Sequence, residues 1–163
     1  MSQEKGFTLI EIMIAVAILL AILSLGLIIS LDFYKSYSFG SEKEVIVSML
    51  QKARSQSLNN INQVRHGVHF ENDSGLTYIL FECEAATPQC NSYVATAGDI
   101  VVHSSFGISL TSPITPFDII FDQLSGDCII STTFDCSNEN PIIINDENKT
   151  DDVRVNKEGA INW

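Results

Sequence analysis

The sequence predicts an α+β protein. Its long N-terminal α-helix spans a membrane in the first half, and the second half packs on a C-terminal head of antiparallel β-sheet or sandwich. Three observations carry that prediction. Of the 25 residues from Phe7 to Leu31, 20 are apolar; apolar residues then recur at helical spacing as far as Ser57; and from Val64 the hydrophobic period changes to two. A length of 163 residues suits a single head domain rather than a multi-enzyme chain.

The membrane segment comes first. Ile12 to Leu31 is 20 residues without a charge, interrupted only by Ser24, Gly26 and Ser30, and a helix of that length crosses a bilayer core. A cleaved secretory signal is the competing reading, since Ala15-Val16-Ala17 has the small-x-small form of a cleavage site. That tripeptide lies inside the apolar run, however, and the run continues to Leu31 beyond it. Glu11 sits at the edge of the run, where a carboxylate costs about 2 kcal/mol or more and calls for a cationic partner.

After the membrane, Ile46, Met49, Leu50, Ala53 and Ser57 fall on one mostly apolar helical stripe. A continuous helix from Thr8 to Asn59 would be about 78 Å long, with Gly40 as an expected bend or break. Glu42, Lys43, Glu44, Lys52 and Arg54 decorate its solvated face. The expected strands are Val64 to Glu71, Leu76 to Cys83, Ile100 to Leu110, Phe117 to Asp122, Asp127 to Thr133, Pro141 to Asn145, Asp152 to Asn156 and Ala160 to Trp163. Asn72-Asp73-Ser74-Gly75, Ser125-Gly126 and Lys157-Glu158-Gly159 supply turns between them.

Charge narrows the function. The chain carries 9 basic against 20 acidic residues, and no Lys or Arg occurs between His66 and Asn148, a stretch that holds twelve of the acids. Such a field repels phosphate backbones and anionic headgroups, which argues against nucleic acid as a partner there. Only Lys149, Arg154 and Lys157 are late basic residues that a DNA-binding head would have at hand.

Catalytic chemistry finds no foothold. There is no nucleophile elbow, P-loop, dinucleotide glycine pattern or EF-hand spacing, so the expectation is a protein that is not an enzyme and needs no cofactor. His66 and His69 are three apart in an expected strand and point to opposite faces, so with His103 they form no expected metal site. The acids Asp146, Glu147, Asp151 and Asp152 lack the central glycine of a calcium loop and read as a solvated loop. Cys83, Cys90, Cys128 and Cys136 form two close pairs without zinc or redox spacing. Four cysteines allow three connectivities, and closing the two short loops in an oxidising exterior is the simplest.

Gly6-Phe7-Thr8-Leu9-Ile10-Glu11 resembles the recognition site of type IV prepilins and type II secretion pseudopilins. The resemblance implies a leader of residues 1–6, cleavage between Gly6 and Phe7 by a membrane-embedded prepilin peptidase, and N-methylation of Phe7 by the same enzyme. It also implies a membrane and filament-core helix over 7–31, an amphipathic continuation over 32–60 and an extracytoplasmic β-rich head over 61–163. Thr8, Leu9, Ile10 and Glu11 complete the processing and assembly motif, with Glu11 pairing a Phe7 ammonium, commonly a neighbour's. The implied location is the inner membrane, single-pass, with a cytoplasmic leader, and after assembly a periplasmic or extracellular filament. The implied partners are the peptidase and methyltransferase, membrane lipid, an inner-membrane assembly platform and other pilins or pseudopilins.

Two further segments, Leu50 to Ser57 with Val64 to Phe70 and Val153 to Ile161, resemble the helix end, first strand and closing hairpin of GspH/FimT-like minor pseudopilins. That likeness implies a small sandwich head and a scarce subunit of an initiating or tip complex. A major pilin is the alternative within the class, although Ile28 stands where many family members have a helix-kinking proline. A DNA-uptake minor pilin acting through Lys149, Arg154 and Lys157 is the alternative outside it.

Overall fold

Between Phe7 and Leu58 there is no proline to interrupt a helix, and the chain forms α1, Leu9–Leu58. This computed structural model describes residues 6, 8–72, 75–104, 108–113, 115–131, 133–138, 140–146 and 149–163. It divides within α1 into two units, Met1–Ser38 and Phe39–Trp163. Gly40, the expected break, is helical and exposed. One glycine costs a helix about 1 kcal/mol, which the apolar stripe that follows it readily offsets when buried. The helix ends where Asn60 turns into the left-handed region at φ 50°, a conformation that asparagine tolerates better than most residues.

In the second unit the stripe is the inner face of the helix. Ile46, Leu50, Ala53 and Ser57 are all 0% exposed and Met49 is 7% exposed. The strands are β1 His66–Glu71, β2 Thr77–Glu82, β3 Ile100–His103, β4 Ser109–Ser112, β5 Phe117–Phe121, β6 Cys128–Ile129, β7 Pro141–Asp146, β8 Lys149–Val155 and β9 Ile161–Asn162. They make two antiparallel sheets, one five-stranded in the order β3-β2-β1-β5-β6 and one four-stranded in the order β4-β7-β8-β9. Alternation then dictates the core. Val68, Phe70, Tyr78, Leu80, Phe117, Ile119 and Phe121 of the first sheet join Leu110, Ile142, Ile144, Val153 and Val155 of the second, and the helix stripe, in one apolar cluster. Phe70 lies at its centre, stacked on Phe117 at 4.6 Å and edge-on to Tyr78 at 5.6 Å.

Three expectations about strands are corrected. Ile100 to Leu110 is two strands in different sheets, β3 pairing with β2 and β4 with β7, with residues 105–107 outside the described residues. The strand expected over Asp127 to Thr133 keeps only Cys128–Ile129. Beyond it the Ser131 hydroxyl accepts from the Phe134 N–H at 2.9 Å and donates to the Asp118 carbonyl at 2.8 Å, so the chain turns. The late acids are not a loop: Asp146 and Lys149 are directly paired in the β7–β8 hairpin, and Asp151 and Asp152 lie in β8. Glu147, and Asp73 and Ser74 of the β1–β2 turn, lie outside the described residues.

Polar bonds tie the helix to both sheets. Ser57 Oγ, fully buried, donates to the Phe121 carbonyl at 3.0 Å and accepts from the His66 N–H at 3.0 Å. Arg54 donates to the carbonyls of Gly126 and Glu158, one on each of two turns. These turns approach so closely that a Cβ on Gly159, at φ +71°, would lie 2.0 Å from the Gly126 oxygen; only glycine fits there. Lys43 pairs with Asp151 at 2.5 Å, and that ammonium holds the Asp151 carboxyl below the usual carboxylate range.

Candidate functional site

The residues singled out at the N-terminus lie on and just before the first turn of α1. Gly6 is exposed. Phe7 and residues 1–5 lie outside the described residues. Thr8 is the residue before the helix, and it makes a reciprocal cap with Glu11. The Glu11 N–H donates to Thr8 Oγ1 at 3.4 Å, while the Thr8 N–H and hydroxyl donate to Glu11 Oε2 at 3.3 and 3.2 Å. Threonine with glutamate three residues on is the sequence signature of this cap, a signal that the sequence reading above did not use. Its effect is chemical as well as structural: the Glu11 carboxylate is aimed at the positive end of its own helix, where an anion is favoured.

Over Leu9–Gly26 the surface of the helix is mostly apolar. Leu9–Gly26 has a mean hydropathy of 2.7, and none of it is buried in the structure. Leu9, Ile10, Met13, Leu20, Ile22 and Leu25 are all at least 60% exposed. A helix apolar on every side and covered by nothing needs lipid, or other helices, around it. Glu11 is exposed on the same surface.

The second unit carries the remaining reactive groups. His69 Nδ1 and Asp118 Oδ1 are 2.6 Å apart, and the ring stacks on Tyr93 at 4.3 Å. His69 therefore stands under the loop that follows β2 rather than at the surface, whereas His103 is exposed. The loop is pinned at several points. Cys83 and Cys90 are disulfide-bonded, the Arg65 guanidinium donates to Gln89 and Asn91 as well as to Asp122, and the Tyr93 N–H donates to Asp118 Oδ2. Burial, with Asp99 accepting from its hydroxyl, pushes Tyr93 up to about 12. Cys128 and Cys136 form the second disulfide. No group of three His, Cys, Asp or Glu among the described residues is placed to hold a metal ion. Of the late basic residues, Arg154 is bonded to Asp152 at 2.6 Å.

His66 and His69 occupy opposite faces of β1, as period two requires. His66 is 2% exposed, and burial lowers its proton affinity below the ordinary histidine value of 6.5, an effect that Glu82 partly offsets. The unfolded chain then binds the proton at a pH where the folded one does not, so stability falls as pH drops below 6.5 and the loss is complete once the folded-state value is passed. Urea midpoints of the full chain measured across that window are expected to decline with acidity. His66→Gln is expected to flatten the decline, and an equal slope in the variant would contradict it.

No curated protein and no solved structure matches the chain. Residues 1–31, which hold the capped glutamate and the uncovered apolar helix, match the prokaryotic N-terminal methylation motif, the prepilin-type signal of type IV pilin-like and pseudopilin subunits.

Proposed function

We propose that this protein is a minor pilin or pseudopilin, of the GspH/FimT-like kind, in a type IV pilus or type II secretion machine. A prepilin peptidase cuts between Gly6 and Phe7 and the new amino terminus is methylated. The subunit waits in the inner membrane with its head outside, and an assembly platform draws its helix into a filament core. Binding, not catalysis, is its work. The observation that carries the reading is one segment in which the methylation motif, a carboxylate at Glu11 and a wholly uncovered apolar helix coincide. Lipid covers that surface before assembly and neighbouring helices cover it afterwards. The ammonium of a processed Phe7 supplies the cation that Glu11 lacks in an apolar setting. The likeness of Leu50 to Ser57, Val64 to Phe70 and Val153 to Ile161 to minor pseudopilins supports the minor role.

Quantitative mass spectrometry of the sheared surface-filament fraction beside the inner membrane tests this. The peptide beginning at N-methylated Phe7 is expected to be present, scarce in filaments and mostly in the membrane. A peptide that dominates the filament fraction would make the protein a main subunit. An uncut Gly6-Phe7 bond would remove the reading altogether.

A further inference from the structure

At the end of β1 and β2 lies a cavity of about 100 Å³. Strand register builds one side of it. His66 is the cross-strand partner of Glu82, Leu80 lies two residues back on the same face of β2, and Ile100 of β3 is the partner of Leu80. Gln56 lines it from the helix.

Polar atoms converge there without being satisfied. Both ring nitrogens of His66 and the Oε1 of Gln56 are buried without a well-formed hydrogen bond, the ring meeting only the Val64 backbone and the Glu82 carboxylate at longer range. Glu82 Oε2 stands 3.6 Å from His66 Nε2 and accepts from Asn62 Nδ2 at 2.7 Å, which holds the carboxylate in place. Orphaned groups of this kind cost about 1–3 kcal/mol each, so a fold retains them when something fills the site.

We propose that this cavity binds a primary ammonium group on an aliphatic stem, the side chain of a lysine on a partner protein. The available atoms are matched to three donors: a carboxylate, an amide oxygen and the lone pair of an imidazole that burial keeps neutral. Leu80 and Ile100 supply apolar wall for the methylenes, and Ile100, 45% exposed, marks the side open to solvent. Charge favours the same occupant, because the sequence from His66 to Asn148 contains twelve acids and no lysine or arginine. The pocket requires nothing of the pilin reading, and its failure would leave that reading intact.

The test uses the full chain in detergent with labelled histidine rings, the His66 resonances being assigned from His66→Gln. n-Butylammonium is expected to shift them saturably in the millimolar range, whereas tetramethylammonium, which has no donor, does not. Glu82→Gln, at a half-exposed strand end, is expected to keep the fold and weaken binding by about tenfold or more. A shift that grows with protein concentration alone also supports the pocket, with a second copy supplying the lysine. Equal shifts from both amines, no saturable shift at all, or saturation by Zn²⁺ without any response to butylammonium would each overturn the proposal, the second outcome leaving a cavity filled by water.

Discussion

Replacing Glu11 by leucine is expected to leave the protein cut at Gly6 and resident in the membrane, yet nearly absent from the sheared filament fraction. On the proposed reading the Gly6-Phe7 bond and the apolar helix are untouched by this substitution, so processing and insertion are expected to survive. Assembly loses its carboxylate. An ammonium left unpaired among apolar helices costs about 3–5 kcal/mol per contact, which is a hundredfold or more in association. The cap on α1 is lost as well, since the Thr8 N–H and hydroxyl both donate to Glu11 Oε2. Thr8→Ala separates the two effects, because it keeps the Glu11 carboxylate and removes only the hydroxyl's share of the cap, worth about 1 kcal/mol, and should reduce filament incorporation mildly. Mass spectrometry of methylated Phe7 peptides in membrane and filament fractions measures all three proteins. Wild-type incorporation of Glu11→Leu would end the assembly role of this carboxylate.

The head should be most sensitive at Ser57. Its hydroxyl is fully buried and serves two backbone groups on different strands, the carbonyl of Phe121 in β5 and the N–H of His66 in β1. Ser57→Ala removes both bonds and leaves the His66 N–H and the Phe121 carbonyl, which are cross-strand partners, only each other to pair with. With the two groups too far apart to pair well without the bridging hydroxyl, the expected loss is about 1–3 kcal/mol, a large part of the stability of an ordinary domain. Ser57 is also where α1 hands over to the sheets, its carbonyl accepting from the Leu124 N–H at 3.0 Å. That bond runs through the backbone and survives the change. Urea unfolding of the full chain followed by Trp163 fluorescence gives the number, and a loss below about 0.5 kcal/mol would show that water replaces the hydroxyl.

Much of the candidate site was legible in residues that lie close together. A helix responds to neighbours three and four apart, so the run from Phe7 to Leu31 and the stripe from Ile46 to Ser57 were readable, whereas the equally local cap of Thr8 with Glu11 went unread. Strand alternation is equally local, and it correctly put His66 and His69 on opposite faces. What alternation lacks is the identity of the partner. Ile100 to Leu110 has one continuous apolar character, but its two ends pair with β2 and β7, and pairing is decided by residues dozens of positions away. For the same reason the β7–β8 hairpin took up acids that composition assigned to a loop: Lys43 from α1 meets Asp151, and cross-strand bonds hold the backbone extended.

The sequence by itself determined the N-terminal motif, the apolar helix and the α+β class, because each depends on spacing along one segment and on the water that segment excludes. Only the tertiary structure decided that His66, Gln56 and Glu82 share a cavity, that His69 lies under a disulfide-pinned loop against Asp118, and that Ser57 joins β1 to β5. The physical reason is the same in each case. Side chains from separate elements converge only after the core has chosen which strands are neighbours, and that choice is made by packing the whole apolar cluster at once.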